Sequence, residues 1–130
     1  MFIALTAGTV ATAAGLLISA PAANAASCPS PNVCFYEHTS YAGLSKTLGN
    51  PYAADLSTVT WDGFNLMNLN DKISSIISGQ NPADTNAVHV YSNINFSGTD
   101  KRITPGGYYP NLGDFGLNDK VSSFRRVSGG

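Results

Sequence analysis

Charge is scarce in this chain and neither sign dominates: Lys and Arg number 7 and Asp and Glu 8 among 130 residues. The only basic doublets are Lys101-Arg102 and Arg125-Arg126. That distribution lacks the basic stripe of a nucleic-acid binder and the polybasic cluster that seeks anionic lipid. Glutamate occurs once, as Glu37, which argues against a helix-rich protein because Glu is a favoured helix former. No convincing amphipathic helix can be traced. Cysteine occurs only as Cys28 and Cys34. Their spacing is too long for a redox dithiol motif, and no further cysteines complete a zinc site. The two histidines, His38 and His89, share no helical spacing, and no Gly-rich loop follows a strand and opens a helix. No catalytic constellation stands out, so the expectation is a protein that is not an enzyme.

The first 25 residues carry no charge, and their apolar stretch from Thr9 to Ile18 is followed by Pro21 and the small-residue sequence Ala23-Asn24-Ala25. This reads as a secretory signal peptide over 1–25, although no basic residue precedes the apolar core. The expectation is a secreted (extracellular) protein with no membrane attachment after cleavage, and a single domain over 26–130, a length that supports one modest core. In an exported chain Cys28 and Cys34 are expected to close a disulfide, contributing about 2.4 kcal/mol by loop entropy.

What the chain does have is repetition. Asn70-Asp71-Lys72-Ile73-Ser74-Ser75 returns as Asn118-Asp119-Lys120-Val121-Ser122-Ser123, each copy preceded by a leucine, Leu69 and Leu117. Upstream of each copy lies a second shared element. Tyr36 through Gly43 matches Tyr91 through Gly98 as aromatic, four residues, aromatic, one residue, glycine. Two elements repeated in one order indicate a duplicated supersecondary unit, with halves at about 28–79 and 86–128 joined through Gly79–Asp84. Val33–Tyr36, Ile76-Ile77, Val88–Tyr91 and Val121–Phe124 read as strands separated by Gly, Pro, Asn and Asp clusters, the pattern of an all-β sandwich. His89 is expected on the face opposite Val88 and Val90. The first half is longer by seven residues, an excess expected around Asp55–Asn65, where a helical turn fits. If the aromatic element is a hairpin folded back on itself, Tyr36 with Tyr41 and Tyr91 with Phe96 pack as core and corner residues, and Gly43 and Gly98 supply a backbone conformation denied to other residues.

Together the two elements resemble the signature of the βγ-crystallin superfamily: the aromatic-glycine corner and the motif Asn/Asp-Asn/Asp-x-x-Ser/Thr-Ser, met at every defined position in both halves. The resemblance covers residues 33 to about 127. It implies two Greek-key motifs forming a sandwich of two four-stranded sheets, with two Ca2+ sites, each built from both halves. Calcium takes six to eight oxygens in tolerant geometry, and each motif offers a carboxylate (Asp71, Asp119), a hydroxyl (Ser74, Ser122) and a backbone carbonyl (Lys72, Lys120). The resemblance adds a carbonyl from Glu37 and from Ser92. It gives Ser75 and Ser123 a structural role, holding the bent hairpin. One carboxylate per site implies modest affinity, with a dissociation constant of roughly 10–100 μM.

The stretch from Cys28 to Tyr36 also resembles the opening of small secreted bacterial proteins grouped with a metalloproteinase inhibitor, which share a crystallin-like fold. The alternative function is therefore inhibition of an extracellular protease, with Thr104–Pro110 as the most exposed-looking segment to enter its cleft. The chain is expected to be a monomer whose partners are calcium ions and, on the alternative, that protease.

Overall fold

The computed structural model describes residues 26–129, so the expected signal peptide lies outside the described residues. Ten strands follow in order: β1 (Val33–His38), β2 (Ala42–Leu48), β3 (Tyr52–Ala53), β4 (Thr60–Trp61), β5 (Phe64–Asn68), β6 (Ser75–Ser78), β7 (Ala87–Asn93), β8 (Ser97–Ile103), β9 (Tyr108–Tyr109) and β10 (Ser123–Val127). No α-helix occurs among the described residues, only short 3-10 turns. One sheet has the order β2-β1-β6-β9 and the other β3-β10-β7-β8, with β4-β5 as a separate small hairpin. Each half therefore gives one short strand to the other half's sheet: β3 pairs antiparallel with β10, and β9 with β6. The architecture is the all-β sandwich expected from the strand pattern, with the two four-stranded sheets that the βγ-crystallin resemblance implies.

Alternation along the strands builds the core. Val33 and Phe35 of β1 and Val88 and Val90 of β7 are wholly buried in one apolar cluster with Ile76, Ile103 and Phe124. Phe35 and Phe124 join the two sheets by stacking at a centroid distance of 4.4 Å. The intervening residues point outward. His89 bonds Asp100 across the β7–β8 pair at 3.0 Å, on the face opposite its valine neighbours. Cys28 and Cys34 form a disulfide, and with Ile77 they make a second, smaller cluster.

The corner aromatics pack as core and corner residues, Tyr36 and Tyr41 on the smaller cluster of Cys28, Cys34 and Ile77 and Tyr91 buried, on the strand faces turned away from the inter-sheet core. Tyr36 meets Tyr41 edge-on at 5.6 Å, and Tyr91 meets Phe96 at 5.8 Å, outside that core. The reason is that Phe35 and Val90, their neighbours, already point inward, so period-two alternation turns Tyr36 and Tyr91 the other way. Two local expectations need correction. The strand expected over Val121–Phe124 begins only at Ser123, because Asp119 has φ of 54° and Val121 accepts from the Asp71 N–H rather than from a ladder partner. The helical turn is common to both halves rather than part of the excess. Asp55 caps Leu56–Thr58 by accepting from the Ser57 N–H at 2.9 Å, and Asn111 caps Leu112–Phe115 by accepting from the Gly113 N–H at 2.8 Å. The excess is the β4–β5 hairpin.

The segment Thr104–Pro110 is not a free loop. Tyr108 and Tyr109 form β9, Pro105 is buried, and the Gly107 carbonyl accepts from the Ser78 N–H at 2.9 Å.

The connector between the halves is clamped by one carboxylate. Asp84 accepts from the Asn86 N–H at 2.8 Å, from Arg126 Nη2 at 2.8 Å and from Gln80 Nε2 at 3.3 Å. The Asn86 N–H foremost, then the Arg126 guanidinium, hold its carboxyl below the usual carboxylate range. A carboxyl depressed in the folded state contributes stability above its unfolded pKa, and this is lost as pH falls through the folded value. Thermal melts from about pH 5 down to about pH 2 are therefore expected to show a smaller fall in midpoint for Asp84→Asn than for the unaltered protein.

Candidate metal centre

The duplicated motif folds into two loops that exchange side chains. In each, the aspartate takes a left-handed conformation, Asp71 with φ of 56° and Asp119 with φ of 54°, a region Asp and Asn tolerate better than most residues. That bend aims each loop at the other half. The Asp71 N–H donates to the Val121 carbonyl at 3.0 Å, and the Asp119 N–H donates to the Ile73 carbonyl at 3.1 Å. The side chains repeat the exchange. Ser74 Oγ donates to Asp119 Oδ1 at 2.9 Å, and Ser122 Oγ donates to Asp71 Oδ1 at 2.9 Å. Leu69, Ile73, Leu117 and Val121, wholly buried, anchor the loops from beneath.

The corners complete each cluster. The Ser74 N–H donates to the Tyr36 carbonyl at 2.9 Å, which sets Glu37 beside the first pair. The Ser122 N–H donates to the Tyr91 carbonyl at 2.8 Å, which sets Ser92 beside the second. The side chains of Glu37 and Ser92 turn back onto their own hairpins. Glu37 Oε1 accepts from the Leu44 N–H at 3.4 Å and Ser92 Oγ from the Thr99 N–H at 2.9 Å. The hydrogen bonds thus bring Ser74 and Asp119 together next to Glu37, and Ser122 and Asp71 together next to Ser92. A cleft of about 200 Å³ opens at the first group, lined by Glu37, His38, Asp71, Lys72, Ser74 and Asp119. His38 is the residue the sequence did not single out. Its place directly after Glu37 in the corner was the available signal.

Ser75 and Ser123 lie one position beyond this exchange and bind the corners. Ser75 Oγ donates to the His38 carbonyl at 2.6 Å and accepts from the Tyr41 N–H at 3.0 Å. Ser123 Oγ donates to the Asn93 carbonyl at 2.6 Å and accepts from the Phe96 N–H at 3.1 Å. They stabilise an unfavourable backbone, since Tyr41 and Phe96 have φ of 63° and 57°, a region costly for bulky residues. Gly43 and Gly98 follow with φ of 80° and 84°, and a Cβ there would meet His38 Cδ2 at 2.6 Å or Ser92 Oγ at 2.3 Å.

No group of three or more His, Cys, Asp or Glu side chains that could hold a metal ion occurs among the described residues. The donor set is therefore one of hydroxyls, single carboxylates and backbone carbonyls. Such hard, mostly neutral oxygens suit calcium and not zinc or copper. Asn70 Oδ1, in the first loop, is buried without a hydrogen-bond partner, leaving that loop with an unsatisfied oxygen.

Comparison with known proteins agrees with this fold. The family model "peptidase inhibitor family I36" matches residues 21–104. In three dimensions the chain is similar to a double mutant of a βγ-crystallin domain from Clostridium beijerinckii, at 31% identity, over 74% of this chain and 96% of that one, with a TM-score of 0.55. It is similar to a βγ-crystallin from Ciona intestinalis at 29% identity, over 74% and 99% of the two chains, with a TM-score of 0.55. An archaeal βγ-crystallin aligns at 29% identity over 74% and 96%, with a TM-score of 0.54. A search of curated proteins by sequence finds no match.

Proposed function

Since this chain belongs to peptidase inhibitor family I36 and to the βγ-crystallins, we propose that it is a secreted domain stabilised by two calcium ions. The observation that carries the reading is the reciprocal pairing of Ser74 with Asp119 and Ser122 with Asp71. A hydroxyl and a carboxylate 2.9 Å apart, drawn from opposite halves, have oxygen lone pairs to spare, and a divalent cation held by both would tie the halves together. One site would take Asp119, Ser74 and the carbonyls of Lys72 and Glu37. The other would take Asp71, Ser122 and the carbonyls of Lys120 and Ser92. Each Lys side chain is exposed, so its ammonium stays in water while its carbonyl serves the ion. Bound calcium supplies charge that replaces the Ser–Asp hydrogen bonds as the link between the halves. Calorimetric titration is the test. Two ions per chain are expected, with dissociation constants of roughly 10–100 μM, and a flat titration at millimolar calcium would refute the reading.

A second reading rests on the family match, which spans residues 21–104: the same scaffold inhibits an extracellular peptidase. The two are compatible, because a calcium-stiffened sandwich is a preorganised support for an inhibitory segment, and preorganisation lowers the entropic cost of binding. Among the described residues, no helix is long and apolar enough to cross a membrane.

A further inference from the structure

We propose that the β4–β5 hairpin is the segment that enters the peptidase, with Leu66 seated in an apolar specificity pocket. This rests on the inhibitor reading and names the element that carries it. Four observations converge on the hairpin.

The first is that the fold does not need it. Fourteen residues lie between Asp55 and Asn70, against six between their counterparts Asn111 and Asn118. The second half thus passes from its capped turn to its metal loop without any hairpin. The residues between are surplus to the duplicated unit.

The second is what the hairpin exposes. Phe64, Leu66 and Met67 are 48%, 97% and 42% exposed on one five-residue strand, with Phe64 and Leu66 on the same face. Scattered exposed apolar residues mean little, but several large ones side by side mark an interaction surface. From Gly63 to Asn70 the chain carries no charge, so the patch suits an apolar partner site rather than an ionic one.

The third is that the display is held rigid. Trp61, only 1% exposed, is sunk in the main core at the hairpin's base. Asp62 fastens the turn to β2: its side chain accepts from the Thr47 N–H at 2.9 Å and pairs with Lys46 Nζ at 3.0 Å, while its N–H donates to the Ser45 carbonyl at 2.9 Å. On the far side the Leu69 N–H donates to the Val59 carbonyl at 2.9 Å, and Asn68 Oδ1 accepts from the Asn70 N–H at 3.0 Å. Gly63 permits the turn with a φ of 82°, a conformation that L side chains rarely adopt.

The fourth is the free edge. Among the described residues β5 pairs only with β4, so its other edge is left for an extended backbone to pair with. A cleft that binds substrate by adding a strand can use that edge, with alternate side chains filling its pockets. Thr104–Pro110 differs in that its strand β9, though also at a sheet edge, is built into the first sheet through β6 and so is part of the duplicated sandwich rather than an addition to it.

The occupant is therefore an endopeptidase cleft with a pocket for a large apolar side chain, held without covalent change. Inhibition of thermolysin and of subtilisin, each assayed with a peptide substrate, distinguishes a metallopeptidase from a serine peptidase target. The unaltered protein is expected to inhibit at least one. Leu66→Asp is expected to weaken that inhibition about 100-fold or more and Leu66→Met to retain it within a few fold. Because Leu66 lies almost wholly in solvent, both variants are expected to melt within about 2 °C of the unaltered protein. Inhibition unchanged in Leu66→Asp and in Phe64→Ser would place the inhibitory segment elsewhere and overturn the inference while leaving the inhibitor reading standing. Absence of inhibition of both enzymes would overturn both. In that event, binding to phosphatidylcholine vesicles abolished by Leu66→Asp would assign the tip to lipid instead.

Discussion

Removal of calcium with a chelator is expected to lower the melting midpoint by about 20 °C relative to the protein in excess calcium. Each ion that binds the folded chain and not the unfolded one adds RT ln(1 + [L]/Kd), about 2.7 kcal/mol when calcium stands 100-fold above its dissociation constant. Two sites give about 5 kcal/mol, and for a domain of this size each kcal/mol moves the midpoint by roughly 4 °C or more. The effect should be large because the ions act where the halves meet. Without them the loops are joined by two Ser–Asp hydrogen bonds and the backbone bonds of Asp71 and Asp119, each of which contributes only about 1 kcal/mol net. Differential scanning calorimetry in excess calcium and in chelator measures the difference. Coincident midpoints would remove the stabilising role.

The second large effect concerns the stack between the sheets. Phe124→Ala is expected to destabilise the protein by about 3–5 kcal/mol. Phe124 is wholly buried, and its ring lies on that of Phe35 at 4.4 Å with an interplanar angle of 8°. Truncation opens a cavity between two hydrogen-bonded sheets, which cannot easily close over it. Total stability of small domains is only about 5–15 kcal/mol, so this single change removes a large share of it. The consequence is a calcium-dependent fold: in chelator Phe124→Ala should be substantially unfolded at room temperature, and calcium should restore the folded circular dichroism spectrum. Urea unfolding gives the magnitude. A loss under about 1 kcal/mol would mean that the stack contributes little to cohesion.

The fold was legible because its determinants are short and duplicated. Alternation about His89 set Val88 and Val90 together on the opposite face, and the repeated corner and motif disclosed the two-fold arrangement. One thing escaped. The excess length of the first half was visible as a number but not as a hairpin, because Thr60–Asn68 mixes exposed apolar residues with Asn and has no clean alternation. Its pairing depends on Trp61 finding the core and Asp62 finding Lys46 and Thr47 of β2, contacts remote in sequence. The oxygen donors were readable as residue types. Which serine meets which aspartate was not, since that depends on how β6 and β10 lie in opposite sheets.

The crossing of those pairs admits a direct test by calorimetric calcium titration of two double variants. In Asp71→Ala with Ser122→Ala, both changes fall in one cluster, and one ion per chain is expected to remain at nearly unaltered affinity. In Asp71→Ala with Ser74→Ala the changes fall in different clusters, and both ions are expected to bind about ten-fold more weakly or worse. The opposite outcome, one tight ion kept by the second variant and none by the first, would mean that each half holds its own ion.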